Sequence, residues 1–488
     1  MSDQNNKIFV NSEIGKLRRL LVHSPDAGLG KVIPAKAQDW LFEDIVHLET
    51  IRKEYDQYTK ILLYFLDPEK IRGKISHIDH PGQRRNFYKP GHPDYFRSDK
   101  VVEPQQLLAE ILEQDVVRYQ LVAAVCAHEK VPYHTQEALF KLSSEELAKT
   151  LISGILPEIP EKNIPMKMIF PPIPNFIFTR DIAVVVNDHI MVTKHATQAR
   201  SRESLITTYI LFNHEIFAQY RDKIIVIANN EDHFLYDKFE RKYKQVSVEG
   251  GDVMMVAPNH LLIGISERTT LHGVSKVIQE LFNRNVVEKV SVIKIPNMRA
   301  FMHIDTTFTQ VKKNLWVIYG PFSKPGTDYD KQDLIEALGE KTEAFSLEIK
   351  QFDKRNINSP RRFQYLEDLL DDISQRDLKS VQKTEFIYSG EGVFPFGQRE
   401  QWTDSCNVLA LKEGVVIGYD RNDMTAEGFR KKGFMVIQAA MLLEKFESGE
   451  LDPDQIENTM ILLPSGELSR ARGGSHCISM PLLRDPII

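Results

Sequence analysis

The segment Ser247-Val248-Glu249-Gly250-Gly251-Asp252-Val253-Met254-Met255-Val256 opens a pattern that recurs through much of the chain. A second apolar run follows at Leu261 to Ile265, then a stretch with helical spacing from Leu271 to Asn283, then a third apolar run at Val290 to Ile295. Short apolar runs bounded by Gly, Pro and Asn read as strands, and the apolar stripe of 271–283 reads as a helix. The same strand, hairpin and helix rhythm returns four or five times. It is seen at Ile182 to Val186 with Ile190-Met191-Val192, a helix from Arg202 to Asn213 and a strand from Lys223 to Ala228. It resumes at Asn407 to Leu411, Gly414 to Tyr419, Thr425 to Lys432 and Phe434 to Ile437. The chain is therefore α/β, without the long strand-helix alternation of a Rossmann sheet or the run of short strands of a sandwich.

Outward from that pattern, Ile8-Phe9-Val10 and Leu17 to Val22 read as strands, and Phe176-Ile177-Phe178 as another. Leu41, Ile45, Leu48 and Ile51 recur at helical spacing and predict a helix from about Asp39 to Leu66. Residues 70–160 are mostly helical in pattern, clearest from Pro104 to His128, where Pro104 suits a first helical turn. This reads as an inserted helical module, a cover or assembly surface. Residues 350–385 interrupt the rhythm with a charged segment whose Leu366, Leu369, Leu370 and Ile373 give a helical stripe.

The 488 residues, 42% hydrophobic and 27% charged, have the balance of an ordinary globular protein. A formal net charge of -6 offers no reason to expect nucleic acid or an anionic membrane as partner. Cys126, Cys406 and Cys477 are too few and too scattered for a disulfide framework or a zinc site. No apolar run reaches the length of a membrane span, and Met1 to Lys7 lacks the apolar core of a signal peptide, so a cytoplasmic location is expected.

Four polar clusters fall at the ends of predicted strands: Asn175 to Asp181, Glu249 to Asp252, His303-Ile304-Asp305, and the loop Arg470-Ala471-Arg472-Gly473-Gly474-Ser475-His476-Cys477. In the last, a thiol follows two glycines and two arginines. Nearby cations favour the thiolate, although most lone cysteines are inert core residues. In an extended strand His303 and Asp305 would project to the same face, as a tuned proton shuttle does, but an isolated pair of this kind is more often a surface feature. Glu249-Gly250-Gly251-Asp252 lacks the Lys-Ser/Thr of a phosphate loop, and no His-x-x-x-His or Cys-x-x-Cys anchors a metal. A cysteine, a histidine and several carboxylates without a metal motif suit covalent chemistry on a cationic electrophile, with carboxylates gripping a planar guanidinium.

Taken together, Phe178-Thr179-Arg180-Asp181, Glu249-Gly250-Gly251-Asp252, Gly264 to Thr269, Met302 to Thr306, Gln401 to Asn407, Tyr419 to Asn422 and Arg472 to Cys477 resemble the arginine deiminase family, as does the opening Ser12 to Arg18. The resemblance implies a pentein fold, a five-bladed pseudo-symmetric α/β propeller with an inserted helical bundle. Residues 1–69 would begin the propeller, 70–160 form the helical module, and 161–488 complete the propeller with extra helical length at about 350–385. It implies Cys477 as nucleophile, His303 as general acid/base, Asp181 and Asp305 as the guanidinium clamp, and Glu249 as the group orienting His303. Arg200 and Arg268 would bind the substrate carboxylate, with Arg202, two residues from Arg200, as the alternative to it. Asn175, Phe178 and Arg472 would contact the amino-acid end. No cofactor and no metal are implied. The expected partners are L-arginine and, in a homo-oligomer, further copies of the chain. Ala471 and Ser475 stand where the family usually has glycine and commonly proline. An agmatine deiminase, an amidinotransferase or a non-catalytic binding protein on the same fold are the alternatives.

Overall fold

A computed structural model describes residues 6–83, 85–156, 168–228, 245–324 and 347–487. Within them the strands form five separate sheets built to one plan. In each, an antiparallel pair is extended by a parallel third strand, the connection that needs a crossover. Ala183–Val186 pairs with His189–Val192, which runs parallel to Ile224–Val226. Val253–Ala257 pairs with His260–Ile265, parallel to Lys289–Lys294. Phe308–Lys312 pairs with Leu315–Ile318, parallel to Glu385–Tyr388. Leu409–Lys412 pairs with Val415–Tyr419, parallel to Thr459–Leu463, with Met435–Gln438 added at the edge. The remaining sheet joins the two ends of the chain: Leu17–Leu21 is antiparallel to Met480–Arg484 and parallel to Val101–Val102.

The strands read as near-continuous apolar runs because both faces are buried. Along Val253–Ala257, Val253 and Met255 enter one apolar cluster while Met254 and Val256 enter another, as a side-chain period of two requires. The helices Pro104–Ile111, Asp115–Glu129, Tyr133–Phe140 and Ser144–Ser153 pack Leu108, Leu121 and Leu147 into the same cluster as Ile190 and Leu261. Their ends are chemically marked: Glu103 accepts from the Gln105 N–H ahead of Pro104, and Ser143 with Glu146 forms a capping box. Of the expected 70–160 module, residues 84 and 157–160 lie outside the described residues.

Four local expectations are corrected. The helix expected from Asp39 begins at Leu48; Leu41 is left-handed (φ 67°), and its carbonyl accepts from Arg299 at 2.6 Å while that of Trp40 accepts from Asn175 at 2.8 Å. Distant side chains thus capture carbonyls that a helix would have used. The helix expected over Pro104 to His128 divides at Leu112–Gln114, which leaves Val116 69% exposed and turns Val117, Leu121 and Val122 inward. Phe176-Ile177-Phe178 is not a strand: Pro174–Ile177 is a 3-10 turn. Residues 350–385 are not purely helical, because Glu348–Asp353 pairs along all six residues with Lys289–Lys294 and Arg361–Phe363 returns beside it. The helix Leu366–Asp372 follows, and Glu385–Tyr388 then enters its own sheet. Glu348, Lys350 and Asp353 keep some exposure, while Ile349 and Gln351 are buried between them.

Candidate active site

Each sheet places a polar cluster immediately before one strand of its antiparallel pair. Thr179–Asp181, Gly250–Asp252 and Ile304–Thr306 are 3-10 turns leading into Ala183, Val253 and Phe308. Asp404 to Asn407 precedes Leu409, and Gly474 to Cys477 precedes Met480. His303 is itself extended (φ -140°, ψ 160°) but Asp305 is in the turn, so the pair does not share a strand face as expected. The turn nevertheless brings both to one place. A single pocket is lined by Asn175, Phe178, Asp181, Arg200, Glu249, Arg268, His303, Arg472 and Cys477, with Leu41, Arg299 and Met302 at its wall. Asp305 lies behind Cys477, whose thiol donates to its Oδ2 at 3.5 Å.

The cysteine loop is held from several sides. The Cys477 N–H donates to Asn407 Oδ1 at 3.0 Å, and the Cys477 carbonyl accepts from the Arg180 N–H at 3.0 Å. Asn407 in turn donates to the Asp305 carbonyl at 3.1 Å, locking nucleophile loop and carboxylate turn together. Ser475, where proline is common, donates to the Ile417 carbonyl at 2.6 Å and accepts from the Leu409 N–H at 3.1 Å. Ala471 closes a 3-10 turn and is buried, so a methyl group fits where the family usually has glycine. A Cβ on Gly473 would lie 2.4 Å from the Phe178 ring, so close approach there requires glycine.

Electrostatics separate the roles of these groups. Burial, then the carboxylates of Asp305, Asp181 and Asp404, push the Cys477 thiol well above its ordinary pKa. Burial alone would lower the pKa of His303, yet the Asp181 charge and the bond to Glu249 raise it to about 10. His303 Nε2 is 3.0 Å from Glu249 Oε2, and its Nδ1 has no hydrogen-bond partner. Glu249 is held well below the usual carboxylate range despite its burial, by the neighbouring His195 and His303 and by Arg268. The backbone must pass close to the imidazole: a Cβ on Gly251 would lie 2.5 Å from His303 Nδ1.

Asp181 uses both oxygens, accepting from the Gly251 N–H at 3.1 Å and from Arg200 Nη1 at 2.7 Å. Arg200 also donates to Glu203 and to the Asn175 carbonyl, and burial is outweighed by Glu203, Asp181 and Glu249 in raising its pKa. Arg202 is not in the pocket; it pairs with Glu129 at 2.9 Å and its guanidinium lies over the Phe170 ring. Several buried polar atoms at the pocket have no hydrogen-bond partner among the described residues: His303 Nδ1, Asp305 Oδ1, Arg268 Nε and all three guanidinium nitrogens of Arg472. Arg472 is left-handed (φ 63°), and its Cζ sits 3.6 Å from the Trp402 ring centroid. Unpartnered guanidinium nitrogens on the lining of one small pocket, with an unpartnered carboxylate oxygen of Asp305 behind its Cys477 wall, suit a ligand carrying both a cation and an anion.

Sequence reasoning missed some of this site. His476 Nδ1 is 2.9 Å from Asp305 Oδ2, and its Nε2 is 2.6 Å from Arg180 Nη2 and 3.1 Å from Glu13 Oε2. Despite burial, Arg180 and His476 hold Glu13 far below the carboxylate range. A chain Glu13, His476, Asp305, Cys477 thus runs inward from the opening strand's turn, and no spacing in the sequence marks it. Asp252 Oδ1 accepts from the Ile304 N–H at 2.9 Å and fixes the residue between His303 and Asp305; burial raises its pKa to about 6. Asp404 is raised to about 7 by burial, against the offsetting charge of Arg472 and a backbone bond from Gly473. Asp181, Glu249 and His303 could each offer one ligand atom to a metal within 4.8 Å of the others. Arg200 already stands against Asp181 and Glu249, at 2.7 and 3.8 Å, and supplies the balancing charge.

A family model described as arginine deiminase matches residues 97–484. An arginine deiminase of Treponema denticola is 28% identical over 98% of this chain and 99% of its own. One from Staphylococcus aureus is 29% identical over the same shares. Among solved structures, an amidinotransferase of the saxitoxin pathway from Microseira wollei covers 99% of this chain and 98% of its own, at 12% identity and a TM-score of 0.48. With the family model spanning most of its length and the polar clusters gathered in one pocket, the chain belongs to the arginine deiminase family.

Proposed function

We propose that the chain hydrolyses L-arginine to L-citrulline and ammonia through a covalent intermediate on Cys477. The observation that carries this reading is the contact of Cys477 with Asp305 in a buried pocket that also holds His303 and unpartnered guanidinium groups. Asp305 Oδ1 and Asp181 receive the substrate guanidinium; Arg268 and Arg472 receive the carboxylate end, with Asn175 and Phe178 beside them. Arg200 is tied to Asp181 at 2.7 Å, so a substrate carboxylate that draws Arg200 away also frees Asp181 for the guanidinium.

Cys477 Sγ then attacks the guanidinium carbon, its proton passing to solvent as the substrate cation offsets the surrounding carboxylates. His303 starts as imidazolium and gives a proton to the departing nitrogen, releasing ammonia and leaving an amidino-thioether. Neutral His303 takes a proton from water, the water oxygen adds to the same carbon, and collapse expels the Cys477 thiolate, which takes up the hydroxyl proton as citrulline leaves. Glu249 holds Nε2, so the unpartnered Nδ1 is the atom that exchanges protons. Agmatine lacks a carboxylate and would leave the Arg472 guanidinium nitrogens without an acceptor at a high desolvation cost.

The five sheets, each presenting its cluster ahead of one strand of its antiparallel pair, support the further proposal that they stand around one axis as a five-bladed propeller, with 70–160 as its helical insertion. Among the described residues no helix is long and apolar enough to cross a membrane. Three buried unpaired cysteines suit a reducing compartment, and a cytoplasmic homo-oligomer is part of the same proposal. Assaying citrulline and ammonia with arginine, agmatine and peptidyl arginine tests the activity. Equal turnover of agmatine, or ammonia without citrulline, would overturn it.

A further inference from the structure

A second charged cleft lies away from Cys477, around Arg19. This residue is on the strand Leu17–Leu21, whose pairing with Met480–Arg484 is irregular on both sides of it: Leu17 faces Arg484, Arg19 faces Leu483 and Leu20 faces Pro481. Such irregularity re-aims a side chain. Arg18 consequently points outward to Asp485, at 2.6 Å, whereas Arg19 is only 7% exposed. Its Nε and Nη1 have no hydrogen-bond partner among the described residues. A buried guanidinium without partners is costly, and it is a place where a ligand's acceptor atoms would be strongly favoured.

Arg19 and Asp99 both line two adjoining clefts of about 360 and 460 Å³. In the first, most charges are already matched. Arg97 and His214 both pair with Glu110 at 2.7 Å, and Glu103 pairs with His23 at 2.6 Å. Asp99 and Glu215 make no ion pair among the described residues. The cleft therefore offers one buried cation with no hydrogen-bond partner, which feels the charge of nearby Asp99, and two exposed carboxylates outside any ion pair among the described residues. A simple oxyanion would satisfy Arg19 but meet the field of both acids. A molecule with one carboxylate and two cations matches all three groups.

We propose that this cleft binds a free basic α-amino acid: carboxylate on Arg19, α-ammonium on Asp99, and side-chain cation toward Glu215. The site is separate from the Cys477 pocket and shares no lining residue with it.

Calorimetric titration of the full chain carrying Cys477→Ala with L-arginine tests it, since turnover is then blocked. Two equivalents per chain are expected. Adding Arg19→Gln should remove one, and adding Arg268→Ala instead should weaken only the other. Because Arg19 is buried, thermal melting checks that Arg19→Gln folds. Asp99→Asn with Glu215→Gln alters only exposed groups and should weaken the second site at least tenfold. A single equivalent untouched by Arg19→Gln and by the double exposed change would overturn the proposal. A single equivalent lost with Arg19→Gln but kept with Arg268→Ala would uphold it while overturning the reading of the Cys477 pocket.

Discussion

Replacing Asp305 by asparagine should lower the pKa of the Cys477 thiol in the substrate-free protein, even though it removes a contact partner of the nucleophile. The carboxylate oxygen is 3.5 Å from Sγ, and Asp305 is fully buried. At an effective dielectric constant of about 20, two unit charges at that separation repel by about 5 kcal/mol. All of that energy opposes thiolate formation. Asparagine is nearly isosteric and removes the charge, so the thiol's midpoint should fall even though local relaxation takes up part of the field. Burial and the charges of Asp181 and Asp404 remain, so the thiol stays above its ordinary value.

Ultraviolet thiolate absorbance against pH, corrected with Cys477→Ala, measures the midpoint directly; Cys126 and Cys406 are buried and burial raises both. The pH dependence of alkylation by iodoacetamide gives a second reading. In the wild type, saturating a substrate-like guanidinium should move the midpoint downward, because the ligand's charge opposes the carboxylates. An unmoved midpoint in Asp305→Asn would refute the electrostatic account. So would a full thiolate signal at neutral pH in the substrate-free wild type.

Gly251→Ala should press a methyl group against the His303 ring, 2.5 Å from Nδ1, and lower kcat about 100-fold by misplacing it, a loss steady-state kinetics would show. Arg268→Ala should raise KM for arginine about 10- to 100-fold with a smaller change in kcat, the signature of a lost charge-assisted contact to the carboxylate. His303 is raised from 6.5 to about 10, so its contribution to stability is fully present below about pH 6.5 and lost as pH rises through about 10. Melting temperatures should therefore fall across that window in the wild type and less steeply in His303→Gln. His476→Gln should shift the pH profile of alkylation at Cys477 with the fold intact, because His476 Nδ1 bonds the same Asp305 oxygen that receives the thiol.

Much of this protein is legible in local order along the chain. The apolar runs at 253–257, 260–265 and 415–419 read as strands because these segments are buried on both faces and tolerate few polar residues. The helix Leu271–Asn283 keeps its stripe because its neighbours demand it, and Thr270 caps it by accepting from the Gly273 N–H. The residue types needed to hold and attack a guanidinium are visible as well, since each sits in a short polar break before a strand. Tertiary contacts decided the rest. Leu41 left its helical pattern because Arg299 holds its carbonyl, and it became part of the pocket wall. Arg200 and Arg202 are equivalent as letters two positions apart. Only packing sends the first to Asp181 and the second to Glu129. His476, Glu13 and Arg180 form one hydrogen-bonded group although Glu13 and His476 are 463 positions apart, because the first and last strands share a sheet. Local preference acts over a few residues, and buried charges take whatever partner the fold brings within reach, so strand and helix could be read in advance while the charge held on His303 could not.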